Sequence, residues 1–458
     1  MSIYKPCDIR GDVSELSSQL YYKWGWSLGR RLTHGTQFVV GGDVRQTTPA
    51  FKKSFIDGLY KAGMNVIDLG IVPTPMVYFC RRFKNIMPCA IITASHNPAN
   101  INGLKWMIGE LPPSEEDVRT LKCDAERSEE KNCCKTGSKR YLNISSAYQE
   151  WLKTTVKDLP ASTIRHIIVD PGNGCWSKRA LSYLQQLFPG VRFSAIHDEP
   201  DGTFPNRGAD CANPVHLELL CNAVYKQKAD LGIAFDGDGD RVTFVDDEGV
   251  VFTAEETTLT FLQSFRNSFN NRFFVYDIKF SNYVRKRVVQ LAGIPVMERS
   301  GHAFIRTRMI KENALFGAEI SGHYFYGQLG GADDGLFSAC QMIMYLAECG
   351  KSSGQIRKSC PTIYMTPDLR LKVDSDQQPQ IIEKIQNTFC DYRKTFVDGV
   401  RIEFANGWAL VRSSVTEAAL TFRFEADSET ELENLVKLFC SQTQNLSSRL
   451  YRKYLRSK

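Results

Sequence analysis

Short apolar runs alternate with longer stretches of helical spacing over the first three quarters of the chain. The runs at 37–40, 65–68 and 89–92 predict strands, and the stretch from Pro49 to Ala62 predicts a helix with proline in its first turn. This alternation is typical of an α/β unit with a parallel sheet. In such sheets ligands bind beyond the carboxyl ends of the strands, so we expect polar segments that follow a strand to carry the function.

The alternation restarts near residue 166 and again near residue 271. Between the first two rounds, the polar and charged stretch 124–140 predicts a loop and then a helix that leads into the next domain. The later rounds predict strands at 166–170, 192–196, 230–235, 273–276, 296–298 and 315–317, and helices at 177–188 and 335–349. Three α/β units of similar size are therefore expected.

The C-terminal part of the chain follows a different pattern. Strands are predicted at 369–373, 399–404, 408–413 and 420–424, and no long crossover helix separates the last three. Such spacing favours an antiparallel sheet with helices on one side. We therefore predict an α/β protein in which three α/β domains with mixed sheets precede a C-terminal α+β domain. The expected domain limits are 1–150, 151–253, 254–364 and 365–458.

The composition is ordinary for a soluble globular protein, with 43% hydrophobic and 24% charged residues among 458. The net charge of +6 comes from scattered rather than clustered lysines and arginines, which argues against nucleic-acid binding. The 14 cysteines form no Cys-x-x-Cys pair, a pattern that indicates a reduced, intracellular protein. No apolar run reaches membrane-spanning length and the N-terminus lacks a signal-peptide layout, so a cytoplasmic location without membrane contact is expected.

An acidic loop, 236–241 (DGDGDR), follows the last predicted strand of the second round. Its carboxylates Asp236, Asp238 and Asp240 alternate with glycines, which allow the tight turns needed for convergence on one hard cation. An EF-hand calcium loop is excluded, because its sixth position would be Arg241 rather than glycine. A solvated acidic turn is the alternative. The buried strand that delivers the loop favours Mg²⁺, which keeps open positions for a phosphate oxygen.

A second polar loop, 93–98 (TASHNP), follows another predicted strand. Its Asn97-Pro98 pair favours a turn, which would hold the Ser95 hydroxyl on a loop. A serine hydroxyl needs a metal or a base before it becomes a good nucleophile, and His96 and Lys105 could supply positive charge nearby. The adjacent serine and histidine do not by themselves form a Ser-His-Asp triad. An ordinary Ser/Asn turn is the simpler interpretation of this motif taken alone.

A third segment, 317–323 (GAEISGH), carries a carboxylate, a hydroxyl and an imidazole at alternate positions, Glu319, Ser321 and His323. On an extended or looped backbone, alternate side chains share a face. Such a trio could read the donors and acceptors of neighbouring sugar hydroxyls. A buried polar cluster without a ligand is the alternative interpretation.

Taken together, these segments resemble the α-D-phosphohexomutase family, most closely its phosphomannomutase/phosphoglucomutase branch. The resemblance covers nearly the whole chain in family order. It rests on the segments 8–11 (DIRG), 93–98 (TASHNP), 102–105 (NGLK), 236–241 (DGDGDR), 301–302 (GH), 319–323 (EISGH) and 412–417 (RSSVTE). The acidic loop matches without a change, and the combination is far more specific than any one segment.

The resemblance implies a heart-shaped protein of four domains, with one loop from each domain facing a central cleft. It implies that phosphorylated Ser95 gives its phosphoryl group to a hexose 1- or 6-phosphate, through a 1,6-bisphosphate that turns over in the cleft. Mg²⁺ held by Ser95, Asp236, Asp238 and Asp240 would neutralise charge on the moving group. The cofactors implied are therefore Mg²⁺ and a hexose 1,6-bisphosphate.

The same resemblance assigns roles to further residues. Arg10, His96 and Lys105 would lie beside Ser95, and Lys105 and His302 are the candidates for general acid and base. The residues expected to bind the sugar phosphate are Arg241, Lys279, Gly301, Glu319, Ser321, His323, Arg412, Ser414, Val415 and Thr416. The expected partner is a small phosphosugar, bound by a monomer or dimer that contacts neither nucleic acid nor membrane. The residues leave both mannose and glucose open.

Three positions depart from the family pattern. Val415 stands where the family has Asn or Gly, Ala418 where it has Pro, and Cys7 where bacterial relatives often carry Tyr. Valine has no side-chain donor and disfavours positive φ, so weaker or altered phosphate anchoring is expected. Asp43 and Arg45 are kept, which suits a structural or interdomain role.

An active mutase is the leading hypothesis, since the serine, the three aspartates and the sugar-reading residues are all present. A phosphosugar-binding or regulatory protein of the same fold is the second, and it draws on the departures at 7, 415 and 418. A phosphatase is the third, because water that reached a phosphoserine in the cleft would release phosphate.

Overall fold

The computed structural model describes residues 2–127, 135–156, 164–414, 418–443 and 446–457. Four β-sheets follow one another along the chain, each packed against helices. The first three contain parallel and antiparallel strand pairs, and every strand pair of the fourth is antiparallel. The predicted fold class, three α/β units followed by an α+β unit, is confirmed. Within the described ranges no helix is both long enough and apolar enough to cross a membrane.

The first unit contains β1 (Ile9–Asp12), α1 (Ser18–Arg30), β2 (Gln37–Gly42), α2 (Thr48–Lys61), β3 (Asn65–Ile71), α3 (Thr74–Phe83), β4 (Cys89–Ile92), β5 (Ile101–Met107), α4 (Glu115–Arg127) and β6 (Ser138–Tyr141). Its sheet has the order β1-β5-β4-β2-β3-β6. In the described part of 124–140, the end of α4 and the strand β6 replace the predicted loop and helix. Every residue of β6 is exposed, so this edge strand lacks the apolar alternation that predicts a strand.

Helix α5 (Ser145–Thr155) leads into the second unit, which contains β7 (His166–Asp170), α6 (Ala180–Leu187), β8 (Arg192–Ala195), α7 (Glu218–Gln227), β9 (Leu231–Phe235) and β10 (Val242–Asp246). The sheet order is β10-β9-β7-β8, with β8 and β9 parallel to β7 and β10 antiparallel to β9. The acidic loop 236–241 is therefore the connection of the β9–β10 hairpin. Residue 150 lies inside α5, and the four domain limits stay predictions.

The third unit contains α8 (Ala254–Ser264), β11 (Phe273–Asp277), α9 (Asn282–Gln290), β12 (Ile294–Glu298), α10 (His302–Lys311), β13 (Phe316–Glu319), β14 (His323–Tyr326), β15 (Ala332–Asp333), α11 (Gly335–Cys349) and α12 (Ser353–Ser359). Its sheet order is β12-β11-β13-β14-β15, parallel around β11 and antiparallel from β13 onward. The segment 319–323 therefore forms the tip of the β13–β14 hairpin, the counterpart of the acidic loop in the second sheet.

The fourth unit contains β16 (Tyr364–Met365), β17 (Leu369–Lys372), α13 (Gln378–Thr388), β18 (Arg393–Thr395), β19 (Val400–Phe404), β20 (Gly407–Ser413), β21 (Ala419–Ala426), α14 (Glu429–Gln442) and α15 (Ser447–Leu455). The order is β16-β21-β20-β19-β18, and β17 pairs with β21. The antiparallel pairs β19–β20 and β20–β21 confirm the topology predicted for the last three strands.

One apolar core joins the first three units. It runs from the first sheet through Tyr148 of α5 and Trp176 of the second unit to Phe337 of α11. The fourth unit has a core of its own between its sheet and its helices. It is attached to the third unit in part by Arg401, whose Nη1 donates to the carbonyl oxygen of Ile278 at 2.7 Å.

The hairpins of the second and third sheets touch through their backbones. Arg241 and His323 form an isolated antiparallel bridge, and the N–H of Val242 donates to the carbonyl oxygen of Gly322 at 3.2 Å. Gly322 has a φ of +91°, and a Cβ placed there would lie 3.1 Å from the Val242 carbonyl oxygen. Glycine allows this close approach. The acidic loop and the 319–323 tip are therefore held side by side.

Candidate active site

A cavity of about 730 Å³ lies where the four units meet. Residues of every unit line it: Arg10 and His96 from the first, Arg241 from the second, Lys279, Gly301, His302, Glu319 and His323 from the third, and Asp368, Arg370, Arg412, Ser414 and Thr421 from the fourth. We call this cavity the cleft. A buried layer that contains Ser95, Lys105 and the three loop aspartates lies directly beneath it. The structure therefore brings most of the predicted site residues together.

The three carboxylates of the acidic loop converge. One ligand oxygen from each of Asp236, Asp238 and Asp240 lies within 4.8 Å of the others, and all three residues are buried. Oδ1 of Asp236 accepts hydrogen bonds from the backbone N–H groups of Gly239 at 2.9 Å and Arg241 at 3.2 Å. Gly239 has a φ of +77°, which a residue with a side chain rarely adopts. These features close the loop into a turn that gathers the carboxylates.

The oxygens of this cluster suit a hard divalent cation. Oδ1 of Asp238 and Oδ1 of Asp240 are buried and have no hydrogen-bond partner. Burial raises the pKa of Asp236 well above its ordinary value, and the neighbouring Asp240 carboxylate adds to the shift. Unpartnered buried carboxylate oxygens are costly unless a cation neutralises them. The donor set, oxygen only and with no cysteine or histidine, fits Mg²⁺.

The ammonium group of Lys105 already contacts this cluster. Its Nζ lies 2.9 Å from Oδ2 of Asp238 and 2.6 Å from Oδ2 of Asp240. Burial alone would lower the pKa of Lys105, but the two carboxylates raise it above its ordinary value, so the side chain is held as a cation. Because Lys105 lies on β5, this contact also joins the first sheet to the acidic loop of the second.

Ser95 stands where the first unit meets the acidic loop. Its Oγ donates to Oδ2 of Asp236 at 2.9 Å, and the residue is buried. The φ of Ser95 is +54°, a left-handed conformation that is uncommon outside glycine. The N–H of Ser95 donates to Oγ1 of Thr93 at 2.8 Å, which helps to keep the loop in this conformation. A hydroxyl fixed beside a cation-binding cluster is suited to phosphoryl transfer.

Arg45 holds the Ser95 loop in place. Its guanidinium donates to the carbonyl oxygens of Ser95 at 2.9 Å, Asn97 at 2.6 Å and Pro98 at 2.5 Å. Nε of Arg45 lies 3.0 Å from Oδ2 of Asp43, and both side chains are fully buried. This pair therefore has the structural role that the sequence predicts, because one arginine binds three carbonyl oxygens of the same turn.

Burial disfavours the charged form of two histidines that line the cleft. Nδ1 of His96 lies 3.4 Å from Oγ of Ser95, and burial lowers the pKa of His96 well below its ordinary value. Burial therefore disfavours the positive charge expected of His96 from the sequence. Burial also lowers the pKa of His302, whose ring stacks on His323 with 5.8 Å between centroids. A neutral imidazole can accept a proton, and the acid–base role of His302 stays a prediction.

His323 has protein partners at both ring nitrogens. Its Nε2 accepts from Nε of Arg241 at 2.8 Å, and its Nδ1 donates to Oδ2 of Asp333 at 2.6 Å. Burial lowers the pKa of His323 to about 4, so the neutral ring makes both bonds. His323 therefore positions Arg241 and leaves no ring nitrogen free for a sugar hydroxyl. This corrects the direct sugar-reading role expected from the sequence.

Glu319 and Ser321 keep polar atoms without partners. They do not share the face of one extended strand: Glu319 ends β13 and is the register partner of His323, and Ser321 lies in the turn between them. Oε2 of Glu319 and Oγ of Ser321 are buried and have no hydrogen-bond partner. Glu319 lines the cleft. Buried polar atoms are normally satisfied, so the Glu319 oxygen suits a ligand bound in the cleft, and the Ser321 hydroxyl in the adjacent turn is also open to a partner.

Three further cations of the predicted site line the cleft, each beside a carboxylate: Arg10 with Asp8 at 2.8 Å, Lys279 with Asp368 at 3.6 Å, and Arg412 with Asp398 at 2.9 Å. Gly301 and Ser414 line the same cavity. Val415 and Thr416 lie outside the described residues. The cleft therefore offers cations from the first, third and fourth units.

Two side chains at the centre of the site were missed by the sequence analysis. Oγ1 of Thr74 donates to Oδ2 of Asp238 at 2.6 Å, and the Thr74 N–H donates to the Asp238 carbonyl oxygen at 2.9 Å. Asp333 binds His323 and, with it and Asp240, forms a second group of potential ligand atoms. Thr74 begins α3 soon after β3, so the strand-end rule that singled out the acidic loop could have found it. Asp333 directly precedes Asp334, the N-cap of α11. In the sequence the pair therefore indicates the start of a helix and not a partner for His323.

Profiles of the phosphoglucomutase/phosphomannomutase family match four successive stretches of the chain. The alpha/beta/alpha domains I, II and III match residues 2–131, 146–249 and 256–364. The C-terminal domain matches residues 369–442.

Curated relatives and a solved structure extend the likeness over nearly the whole chain. The chain is 32% identical to the phosphomannomutase/phosphoglucomutase of Pseudomonas aeruginosa over 456 residues, which cover 98% of this chain and 97% of that protein. It is 29% identical to a phosphoglucomutase of Neisseria gonorrhoeae over 447 residues, with 95% of each chain covered. The crystal structure of a phosphoglucomutase/phosphomannomutase family protein from Burkholderia thailandensis matches with a TM-score of 0.87 at 26% identity, covering 99% of this chain and 97% of that one.

Proposed function

Because this chain belongs to the phosphoglucomutase/phosphomannomutase family, a family of isomerases, we propose that it moves a phosphoryl group between the 1- and 6-positions of a hexose phosphate, mannose and/or glucose. Phosphorylated Ser95 would be the carrier, and a hexose 1,6-bisphosphate the intermediate. One observation carries the proposal: Oγ of Ser95 lies 2.9 Å from Asp236, beneath a cleft that all four units line.

The proposed reaction has two halves. In the first, the bond between phosphorus and Oγ of Ser95 breaks while the free hydroxyl of the substrate forms a new bond to phosphorus. The proton of that hydroxyl passes to a neutral base, for which His302 in the cleft is the candidate. In the second half the bisphosphate, turned end for end, returns its other phosphoryl group to Ser95 and the proton to the new hydroxyl. No phosphate is consumed over the cycle.

Charge on the moving phosphoryl group must be stabilised, and that is the main task of a protein in such transfers. Lys105 is held as a cation by Asp238 and Asp240. The hydrogen bond to His323 orients the guanidinium of Arg241, a residue that lines the cleft. Both cations would act on the reacting phosphate.

The phosphate that does not react would be held by the fourth unit. Arg412 and Ser414 line the cleft, and Val415 and Thr416 follow them in the same segment. Guanidinium and hydroxyl groups are strong partners for phosphate oxygens. The valine and Ala418, which replace the usual residues of the family, are expected to weaken this anchoring without abolishing it.

Asp236, Asp238, Asp240 and an oxygen on Ser95 would hold Mg²⁺. When bound, the ion would supply Lewis-acid stabilisation of the phosphoryl oxygens. The two carboxylate oxygens without a partner, on Asp238 and Asp240, are the observation that supports this assignment.

Sugar recognition would rest on Glu319 and Ser321. Their unpartnered oxygens would accept and donate hydrogen bonds to the 3- and 4-hydroxyls of the sugar. Mannose and glucose differ only at the 2-hydroxyl, so this pair would accept both. Turnover of the two sugar 1-phosphates, and of N-acetylglucosamine 1-phosphate, would rank the substrates.

Incubation of the protein with mannose 1-phosphate, Mg²⁺ and a trace of glucose 1,6-bisphosphate tests the proposal. Phosphorus NMR distinguishes the products. Formation of the 6-phosphate is the expected result. Release of inorganic phosphate would instead indicate a phosphatase, and unchanged substrate a binding protein, and either result would overturn the mutase.

The carrier role has its own test. Ser95→Ala should abolish turnover but keep substrate binding in a calorimetric titration, because only the nucleophilic oxygen is removed. Ser182→Ala, on α6 and outside the cleft, is the matched control and should keep full turnover. Near-normal turnover of Ser95→Ala would show that another group carries the phosphoryl.

A further inference from the structure

A second cavity, of about 360 Å³, lies between the first and third units. Helix α3 bounds it on one side, and α10 with the turn between β14 and β15 bounds it on the other. None of the residues that line it also lines the cleft. Three of its side chains are arginines, Arg81, Arg82 and Arg306, and its one acidic side chain is Glu110. The cavity therefore has an excess of positive charge.

Arg306 is the most unusual of these arginines. It is only 2% exposed, yet Nε and Nη1 of its guanidinium have no hydrogen-bond partner. Among the described residues no carboxylate forms an ion pair with it. Its guanidinium carbon lies 3.9 Å from the centre of the Tyr78 ring, so the guanidinium packs against an aromatic face. A buried guanidinium is normally paired with an anion or fully hydrogen-bonded.

The other two arginines add positive charge beside Arg306. Arg81 donates from Nε to the Met87 carbonyl oxygen at 2.6 Å and from Nη2 to the Gly109 carbonyl oxygen at 2.7 Å. The guanidinium of Arg82 lies over the Trp151 ring at 5.3 Å. Burial lowers the pKa of both arginines, and the nearby charge of Arg306 acts in the same direction. The charge of Arg306 therefore acts unfavourably on both of its arginine neighbours.

The wall opposite α3 leaves room for a ligand. Gly330, in the turn between β14 and β15, has a φ of +66°, and a Cβ built there meets nothing within 4 Å. The neighbouring Gly331 is also left-handed, with a φ of +71°. Glycines at both positions keep side chains out of the cavity.

We propose that this cavity binds a small tetrahedral oxyanion, either inorganic phosphate or the phosphate group of a small monoester. Such an anion would neutralise Arg306 and its two neighbours, and guanidinium groups are the preferred partners of phosphate oxygens. The cavity has about half the volume of the cleft, which leaves room for a phosphate with a short organic part. Arg306 lies one helical turn beyond His302 on α10, so the site is close to the cleft but separate from it.

Calorimetric titration of the whole protein with inorganic phosphate, and separately with glycerol 3-phosphate, tests the site. Arg306→Met should bind one equivalent fewer than the wild type. Arg308→Met, on the same helix with a side chain 41% exposed and outside the cavity, is the matched control and should bind as many as the wild type. A loss seen with both ligands indicates a monoester site, and a loss with phosphate alone a site for the free ion. Equal stoichiometry in all three proteins would overturn the proposal.

A second pair of variants covers the case in which loss of buried Arg306 disrupts the fold. Gly330→Asp places a tethered carboxylate in the cavity, and Gly330→Asn adds a side chain of the same size without charge. Aspartate and asparagine both tolerate the left-handed conformation. Gly330→Asp should lose the phosphate equivalent and melt at a higher temperature than Gly330→Asn. Phosphate binding and melting temperature that are the same in the two variants would contradict the proposal.

Discussion

Nη2 of Arg45 donates to the carbonyl oxygen of Ser95 at 2.9 Å, although Arg45 itself does not reach the cleft. Replacing it with methionine would free three turn carbonyls and leave Asp43 buried without its cation. We expect Arg45→Met to lower the free energy of unfolding by about 3–5 kcal/mol and to reduce turnover. Urea denaturation and the mutase assay measure the two effects.

The double variant Asp43→Asn/Arg45→Met separates the causes. If the loss of stability in Arg45→Met comes mainly from the unpaired Asp43 carboxylate, the double variant will be more stable than Arg45→Met alone, while its turnover stays low. Equal stability of the two proteins would mean that the loop carbonyls, and not the ion pair, account for the loss.

Lys105 and a divalent cation would share the carboxylates of Asp238 and Asp240. Lys105→Met removes the ammonium, so the metal-free protein should melt at a lower temperature than the wild type. Added Mg²⁺ should then raise the melting temperature by more than in the wild type, because binding to the folded state stabilises it and no cation competes. Thermal melts in EDTA and in Mg²⁺ measure both shifts.

Lys53→Met is the control for this experiment, because the Lys53 side chain is 82% exposed. It should melt like the wild type with and without Mg²⁺. An Mg²⁺ response in Lys105→Met no larger than that of the control would show that the ammonium and the metal do not compete. Turnover of Lys105→Met should fall in any case, since the moving phosphoryl group loses a cation.

Glu319 offers a buried oxygen without a partner to the cleft. Glu319→Gln keeps the shape but replaces a charged acceptor, so kcat/KM should fall about 10- to 100-fold, the worth of a charged hydrogen bond. Steady-state kinetics with glucose 1-phosphate measure the change. Glu312→Gln, just after α10 and paired with Arg308, should have no effect. Wild-type kinetics in Glu319→Gln would remove it from sugar recognition.

Asp170 links stability to pH. Its carboxylate lies 2.8 Å from Nε of Arg207 and 3.1 Å from Nδ1 of His197. Burial alone would raise the pKa of Asp170, but these partners lower it below the ordinary 3.8. A carboxylate with a lowered folded pKa stabilises the fold above its unfolded pKa, and this contribution is lost as the pH falls through the folded value.

The wild type should therefore lose unfolding free energy as the pH falls below about 4. Asp170→Asn has no such group to protonate and should be less stable near neutral pH but less sensitive to acid. Urea denaturation across this range compares the two slopes. Parallel curves would show that other carboxylates dominate the acid response.

The sequence was most informative where chemistry is local. Asp236, Asp238 and Asp240 are neighbours in the chain, so their spacing alone predicts that they converge. Each round of alternating strands and helices is likewise continuous in the chain, so the pattern predicts the first three sheets. Ser95 could be assigned only together with the other segments, because its own motif describes an ordinary turn. The cytoplasmic location and the monomeric or dimeric state stay predictions.

Long-range contacts account for most of what was missed. The sequence predicted that His323 binds a sugar hydroxyl. Arg241 and Asp333, which lie outside its own motif, occupy both ring nitrogens instead. The sequence predicted a positive charge near Ser95 from His96. Burial lowers the pKa of His96, and burial is not visible in a sequence. The strand β6 was missed because its side chains are exposed and carry no apolar alternation.

The backbone bridge between Arg241 and His323 fixes the distance between two hairpins of the site. Neighbouring strands stand about 4.8 Å apart, so the bridge holds the acidic loop and the 319–323 tip at a fixed separation. In the proposed cycle, a sugar phosphate would present first one end and then the other to Ser95. Because the two hairpins are joined, that reorientation would fall to the sugar, and the protein would keep the same arrangement in both halves.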